Sequence, residues 1–148
     1  MRINWSRQCV AVVPCFNEAV HIAAVVVGIQ RHLPNVIVVD DGSTDATAER
    51  AEAAGAIVIR QPRNSGKGSA LRRGWERARE LGFAWVLMLD GDAQHAPDDI
   101  PGFFAAAESS AAVLVVGKAN RVEGEALSGG EGLPRAAGVS AAIDASAW

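Results

Sequence analysis

Short apolar runs alternate with helix-periodic segments along most of this chain, and no other feature constrains its fold as much. The runs are Cys9-Val10-Ala11-Val12-Val13, Val36-Ile37-Val38-Val39, Ala56-Ile57-Val58-Ile59, Val86-Leu87-Met88-Leu89 and Ala112-Val113-Leu114-Val115-Val116. Each is β-branched or aliphatic and bounded by turn residues, so each reads as a buried strand. Between the first two, Ile22, Val25, Val26, Ile29 and Leu33 recur at three- and four-residue spacing. That period predicts a helix from Glu18 to His32, broken by Pro34-Asn35. An alanine-rich helix follows to Ala54, with Ser43 or Thr44 as its cap and Gly55 at its end. A third helix runs from about Ser69 to Leu81 and Gly82 closes it. A fourth starts at Pro97, carries Asp98 and Asp99 in its first turn, and runs to about Ser109. Met1 to Gln8 reads as a polar lead-in. Strand–helix alternation with uniformly apolar strands predicts a three-layer α/β/α fold. Its sheet is mostly parallel, with helices on both faces and right-handed crossovers.

Three of the strands run into acidic or polar loops, at Glu18, at Asp40-Asp41 and at Asp90-Gly91-Asp92. A parallel sheet gathers such loops on one edge, where ligands bind in open α/β folds. Residues two apart in an extended chain point the same way, about 6.6 Å apart. Asp90, Asp92 and Gln94 can therefore converge. An oxygen-only ligand set suits a hard divalent ion such as Mg²⁺ or Mn²⁺, which completes its shell with water and substrate phosphate oxygens. Plainer readings stand beside these. Asp-Gly-Asp is also a good turn sequence. Glu18 also suits a helix N-terminus, Asp40 and Asp41 a turn and helix start, and Lys67 a solvated loop. His95 reads as a surface or capping residue, His21 and His32 as incidental. Trp5, Trp75 and Trp85 read as packing residues, whereas nothing in the sequence holds Trp148 in place.

The 148 residues suit one domain, and 49% hydrophobic content excludes compositional disorder. A net charge of −3 argues against a general nucleic-acid binder. Cys9 and Cys15 sit at opposite ends of one expected strand, so they read as reduced thiols of a cytosolic protein. The N-terminus lacks the continuous apolar region of a signal peptide, and no run approaches the roughly 20 apolar residues of a spanning helix.

Four pieces now line up: Val13-Pro14-Cys15-Phe16-Asn17-Glu18, Val38-Val39-Asp40-Asp41-Gly42-Ser43-Thr44-Asp45, Asn64-Ser65-Gly66-Lys67-Gly68 and Asp90-Gly91-Asp92-Ala93-Gln94. In this order and spacing they resemble the nucleotide-sugar half of a family 2 glycosyltransferase with the GT-A fold. The dolichol-phosphate mannosyltransferase and polyprenyl-phosphate glycosyltransferase branch is most similar, and Gln94-His95 keeps that branch's motif ending. The resemblance covers roughly residues 9 to 117. It implies metal-dependent, inverting transfer of a sugar from a UDP- or GDP-sugar to an acceptor such as polyprenyl phosphate. For such an acceptor it also implies peripheral attachment at the inner membrane face. By that resemblance Pro14, Phe16, Glu18 and Asp41 border the base and ribose, and Asp40 belongs to the same donor-binding set. Asp90 orients the ribose or the metal's water shell, and Asp92 and Gln94 hold Mg²⁺ or Mn²⁺. Lys67 reaches the diphosphate as a point charge.

The family's catalytic domain continues well beyond a fifth strand. Here residues 118–148 turn Gly-, Ala-, Ser- and Glu-rich without a clear period. The expected division is therefore an incomplete donor domain over 1–117 and an irregular tail over 118–148, with weak helix around Ala136 to Trp148. This pattern suggests a truncated or replaced C-terminal part. Glu123, Glu125, Glu131 and Asp144 match no motif, so no general base is assigned. Two alternatives stay open: a non-catalytic nucleotide-sugar-binding module, and a nucleotidyltransferase. The second would want a glycine-rich basic loop after the first strand, which Pro14 to Glu18 does not supply. A P-loop is excluded because Gly68 follows Lys67 and Gln61 stands where its first glycine belongs.

Overall fold

The computed structural model describes residues 3–89, 91, 97–110, 114–118, 121–123 and 139–144. A single helical turn, α1 (Trp5–Gln8), leads into β1 (Cys9–Cys15), followed by α2 (Ile22–Gln30), β2 (Val36–Asp40), α3 (Thr47–Ala53) and β3 (Ile57–Arg60). Then come α4 (Lys67–Glu80), β4 (Trp85–Met88), a 3₁₀ turn (Pro97–Asp99), α5 (Ile100–Ser110), β5 (Leu114–Lys118), β6 (Arg121–Glu123) and β7 (Val139–Asp144).

Among the described residues these strands form one sheet in the order β3-β2-β1-β4-β7-β5-β6. β3, β2, β1 and β4 pair in parallel. β7 is antiparallel to both β4 and β5, so β5 points the same way as β4 with β7 between them. β6 then turns back along β5. The four-stranded parallel unit matches the sequence expectation, with helices on both faces. Alternate side chains of each strand divide the core in two. Ala11, Val13, Val36, Val38 and Leu87 pack with Ile22, Val26, Ile29, Ala51 and Phe103 of α2, α3 and α5. Val10, Val12, Ile37, Val39 and Val86 pack with Ala70 and Ala78 of α4. β1 and β2 are buried along their whole length, which is why they read as continuous apolar runs. Fully burying one such side chain contributes about 1.5–3 kcal/mol.

The structure corrects three expectations. Residues 121–123 and 139–144 are strands rather than irregular chain or helix. Val139-Ser140-Ala141-Ala142-Ile143-Asp144 has little intrinsic strand preference, but pairing on both edges supplies what its side chains lack. Neither Ser43 nor Thr44 caps α3. The oxygen that meets its first backbone N–H belongs to Asp45, which accepts from Thr47 N at 3.0 Å. α2 begins at Ile22 rather than Glu18, because residues 16–19 are held in a loop by other contacts. Among the described residues no helix is long and apolar enough to cross a membrane.

At the far end of the sheet from the acidic loops, Trp5 stacks on Phe104 at 4.4 Å and meets Trp85 edge-on at 5.3 Å. Its indole N–H donates to Glu108 at 2.8 Å. This cluster fastens α1 to α5, the packing role expected of these tryptophans.

Candidate functional site

β1 and β2 end side by side, with Cys15 opposite Asp40 in the register. The loops that follow them, together with the loop before α4, surround a cleft of about 240 Å³. Its lining includes Pro14, Phe16 and Glu18 after β1, Asp41 after β2, Asn64 and Lys67 before and at the start of α4, and Gly91 after β4. The cleft therefore sits at the C-terminal ends of parallel strands, as their polar endings required.

Asp41 is 4% exposed, and its carboxylate is fully engaged with the chain before α4. Oδ1 accepts from the Gln61 amide at 2.7 Å and from Ser65 N at 2.9 Å, and Oδ2 accepts from Gly66 N at 2.9 Å. Its own backbone N–H donates to Cys15 O at 2.9 Å. Charge-assisted bonds of this kind are the stronger ones. Gly42 completes the attachment. It has φ +79°, and a Cβ there would lie 2.6 Å from the carbonyl carbon of Arg63. Residues 61–66 thus lie directly on the β2–α3 loop. Asp40 is equally buried but does not line the cleft, and its Oδ1 accepts from Ser43 N at 3.0 Å within its own turn.

Residues 16–19 are tied to the same β2–α3 loop by a second set of bonds. Asn17 N donates to Ser43 Oγ at 2.8 Å, Glu18 N to Thr47 Oγ1 at 3.0 Å, and Ala19 N to Asp45 Oδ2 at 3.3 Å. Asn17 adopts φ 52°, a left-handed conformation that asparagine tolerates better than most residues. Its side-chain oxygen accepts from Thr44 N at 2.9 Å. The consequence is a fixed strip on which Phe16 is 41% exposed and Glu18 is half-buried at the cleft wall.

The electrostatics are read from Cys15, which also lines the cleft. Burial, and then the negative charge of Asp40, Glu18, Asp45 and Asp41, push its thiol up to about 12. It stays a neutral thiol at physiological pH and is no nucleophile. Cys9 is likewise pushed up to about 12 by burial, and both cysteines are free, as their positions at opposite ends of β1 anticipated. Among the described residues no His, Cys, Asp or Glu cluster is placed to hold a metal. Asp90, Asp92, Gln94 and His95 lie outside the described residues. Gly91, between the two aspartates in sequence, packs against the end of β1, where an added Cβ would lie 3.0 Å from Cys15 Cβ.

Of the residues singled out in sequence, Pro14, Phe16, Glu18, Asp41 and Lys67 line one cleft. Asn64, Gly66, Ala70 and Cys15 line it too, although the sequence alone gives none of them a donor-binding role. Asn64 carried a signal, a carboxamide inside a glycine-flanked polar loop. Ala70 carried none, because a buried helical alanine looks the same anywhere in a core.

Comparison with known proteins agrees with this geometry. Residues 10–133 match the model of glycosyl transferase family 2. The chain is 35% identical over 107 residues to UDP-N-acetylglucosamine–dolichyl-phosphate N-acetylglucosaminyltransferase of Methanococcus voltae, covering 60% of this chain and 43% of that one. It is 33% identical over 132 residues to dodecaprenyl-phosphate galacturonate synthase of Rhizobium johnstonii, covering 80% and 38%. Among solved structures it is similar to Mycobacterium tuberculosis glucosyl-3-phosphoglycerate synthase in complex with Mn²⁺, UDP and glucosyl-3-phosphoglycerate. That match has a TM-score of 0.61 and 29% identity, and covers 73% of this chain and 42% of the other. The chain therefore spans about two fifths of the length of each of these proteins. The parallel sheet, the cleft at its strand ends and the match over 10–133 lead to one conclusion: the chain belongs to glycosyl transferase family 2.

Proposed function

We propose that the cleft binds the nucleoside diphosphate of a UDP- or GDP-sugar, and that this chain is the donor-binding part of an inverting transferase acting on polyprenyl phosphate. The observation that carries this reading is the meeting of three strand-end loops and the Lys67 helix start around one cleft. Pro14 and Phe16 offer an apolar and aromatic surface to a base. Glu18 and Asn64 offer polar groups to base and ribose, and a half-buried carboxylate discriminates because an unmatched partner leaves it unpaired. Lys67 lines the cleft, and in this reading it serves the diphosphate as a point charge.

A diphosphate entering here meets Glu18 and Asp41 as well as Lys67, so further positive charge is needed. Asp92 and Gln94, with Asp90, are the oxygen ligands the sequence offers beside Gly91, and their chemistry fits Mg²⁺ or Mn²⁺. When bound, such an ion supplies Lewis-acid stabilisation of the departing diphosphate. Transfer with inversion forms a bond from an acceptor phosphate oxygen to the sugar's anomeric carbon. The bond to the nucleoside diphosphate breaks and its electron pair leaves with the diphosphate. An ionised phosphate acceptor needs no protein base. The names of the two relatives, one containing dolichyl-phosphate and the other dodecaprenyl-phosphate, and the Mn²⁺ and UDP of the solved neighbour support this reading.

Calorimetric titration of UDP and GDP, with and without Mn²⁺, tests it. Metal-dependent binding of one nucleotide, lost in Asp92→Ala, is expected. Folded protein that binds neither nucleotide would overturn the donor-site reading for this chain.

A further inference from the structure

Three consecutive backbone N–H groups, those of Asn17, Glu18 and Ala19, each donate to a different side chain of the β2–α3 loop and the first residue of α3: Ser43, Thr47 and Asp45. The chain around Phe16 and Glu18 has no regular secondary structure to fix it. Its shape is set from outside. Asn17 closes the arrangement from the other direction, its Oδ1 accepting from both Thr44 N and the Thr44 hydroxyl, at 2.9 and 3.3 Å. Arg50 of α3 donates to Ala19 O at 2.6 Å.

Within this set, Asp45 and Thr47 form a relay. Asp45 Oδ1 accepts both the backbone N–H and the hydroxyl proton of Thr47. A hydroxyl has one proton to give. Once it is committed to Asp45, the Thr47 oxygen can face Glu18 N only as an acceptor, which is what the 3.0 Å contact requires. Thr47 is fully buried, so the orientation is not averaged by solvent.

We infer that Asp45 and Thr47 are positioning residues of the donor site, acting through the backbone of residues 17–19 to hold Phe16 and Glu18 against the cleft. Neither lines the cleft itself. The inference rests on the donor-site reading and deepens it: the acidic loop after β2 serves the site as its frame as well as part of its wall. The bonds to residues 17–19 cross between segments distant in sequence, so they stabilise the cleft's shape.

The test uses Thr47→Val, which removes the hydroxyl at nearly constant volume, Thr47→Ser, which restores it, and Asp45→Asn. UDP with Mn²⁺ is titrated into each, and amide hydrogen exchange is followed at residues 17–19. Val26→Ala, a core truncation outside the cleft lining, controls for lost stability alone. Thr47→Val and Asp45→Asn are expected to weaken UDP by about tenfold, the factor that one lost hydrogen bond of ~1.4 kcal/mol produces. Thr47→Ser and Val26→Ala should bind as the parent does. Equal weakening in Val26→Ala, or undiminished UDP binding in Thr47→Val, overturns the inference. If the parent protein binds neither UDP nor GDP, the donor reading fails, and hydrogen exchange decides the clamp separately. Faster exchange at Glu18 in Thr47→Val upholds it, and unchanged exchange removes it.

Discussion

The two walls of the cleft are held by the same loop in opposite ways. The wall at 61–66 hangs on one buried carboxylate, Asp41, which takes three donors. The wall at 16–19 is held by several side chains, each taking one backbone group. A concentrated anchor fails all at once when its one residue is lost, whereas a distributed clamp loosens by degrees. The difference also assigns roles to the two halves of Asp40-Asp41-Gly42-Ser43-Thr44-Asp45, since its second residue serves one wall and its last residues the other.

The largest break in this comparison should come from Asp41→Ala. It leaves the N–H groups of Ser65 and Gly66 and the Gln61 amide without their acceptor at a part-buried site. Loss of about 3 kcal/mol is expected, read from the denaturant midpoint, together with loss of nucleotide binding. Gly42→Ala comes next. Its Cβ would strike the backbone at Arg63 and Asn64, and φ +79° is already unfavourable for alanine. The expected cost is about 2 kcal/mol, again with weakened nucleotide binding, because the same wall is displaced. No single change in the 43–47 clamp should match either.

The smallest effect is a pH dependence confined to the distributed wall. The Thr47 hydroxyl first, and then the backbone N–H groups of Thr47 and Ala19, hold the Asp45 carboxyl below its usual 3.8. A lowered native value means that its contribution is complete above 3.8 and drains away as the pH falls through the native value. Hydrogen exchange at Ala19, corrected for the intrinsic rate, should therefore be flat from neutral pH to about 5 and should lose protection only in stronger acid. Loss of protection near neutral pH would show that another group holds this wall.

The strands of the parallel half were legible because β1 and β2 are buried on both faces and leave no polar residue to interrupt them. β7 was not, because Ser140, Ala141 and Ala142 carry no strand signal and the segment is defined by partners distant in sequence. At the candidate site, residue types pointed to the strand ends around which the cleft lies. They could not separate Asp40 from Asp41, since two adjacent carboxylates at a strand end differ only in which way the chain turns after them. They also favoured Ser43 and Thr44 as helix caps, whereas both side chains reach across to Asn17. That contact depends on Asn17 adopting a positive φ, which asparagine permits but does not announce.

The most direct test of the central claim, that this cleft is the donor site, is a hydrogen-exchange footprint with and without UDP and Mn²⁺. Slower exchange is expected at residues 15–19, 61–67 and 90–96, with no change along β3 at the edge of the sheet. Protection confined to β3, or bound UDP that leaves both walls unchanged, would contradict it.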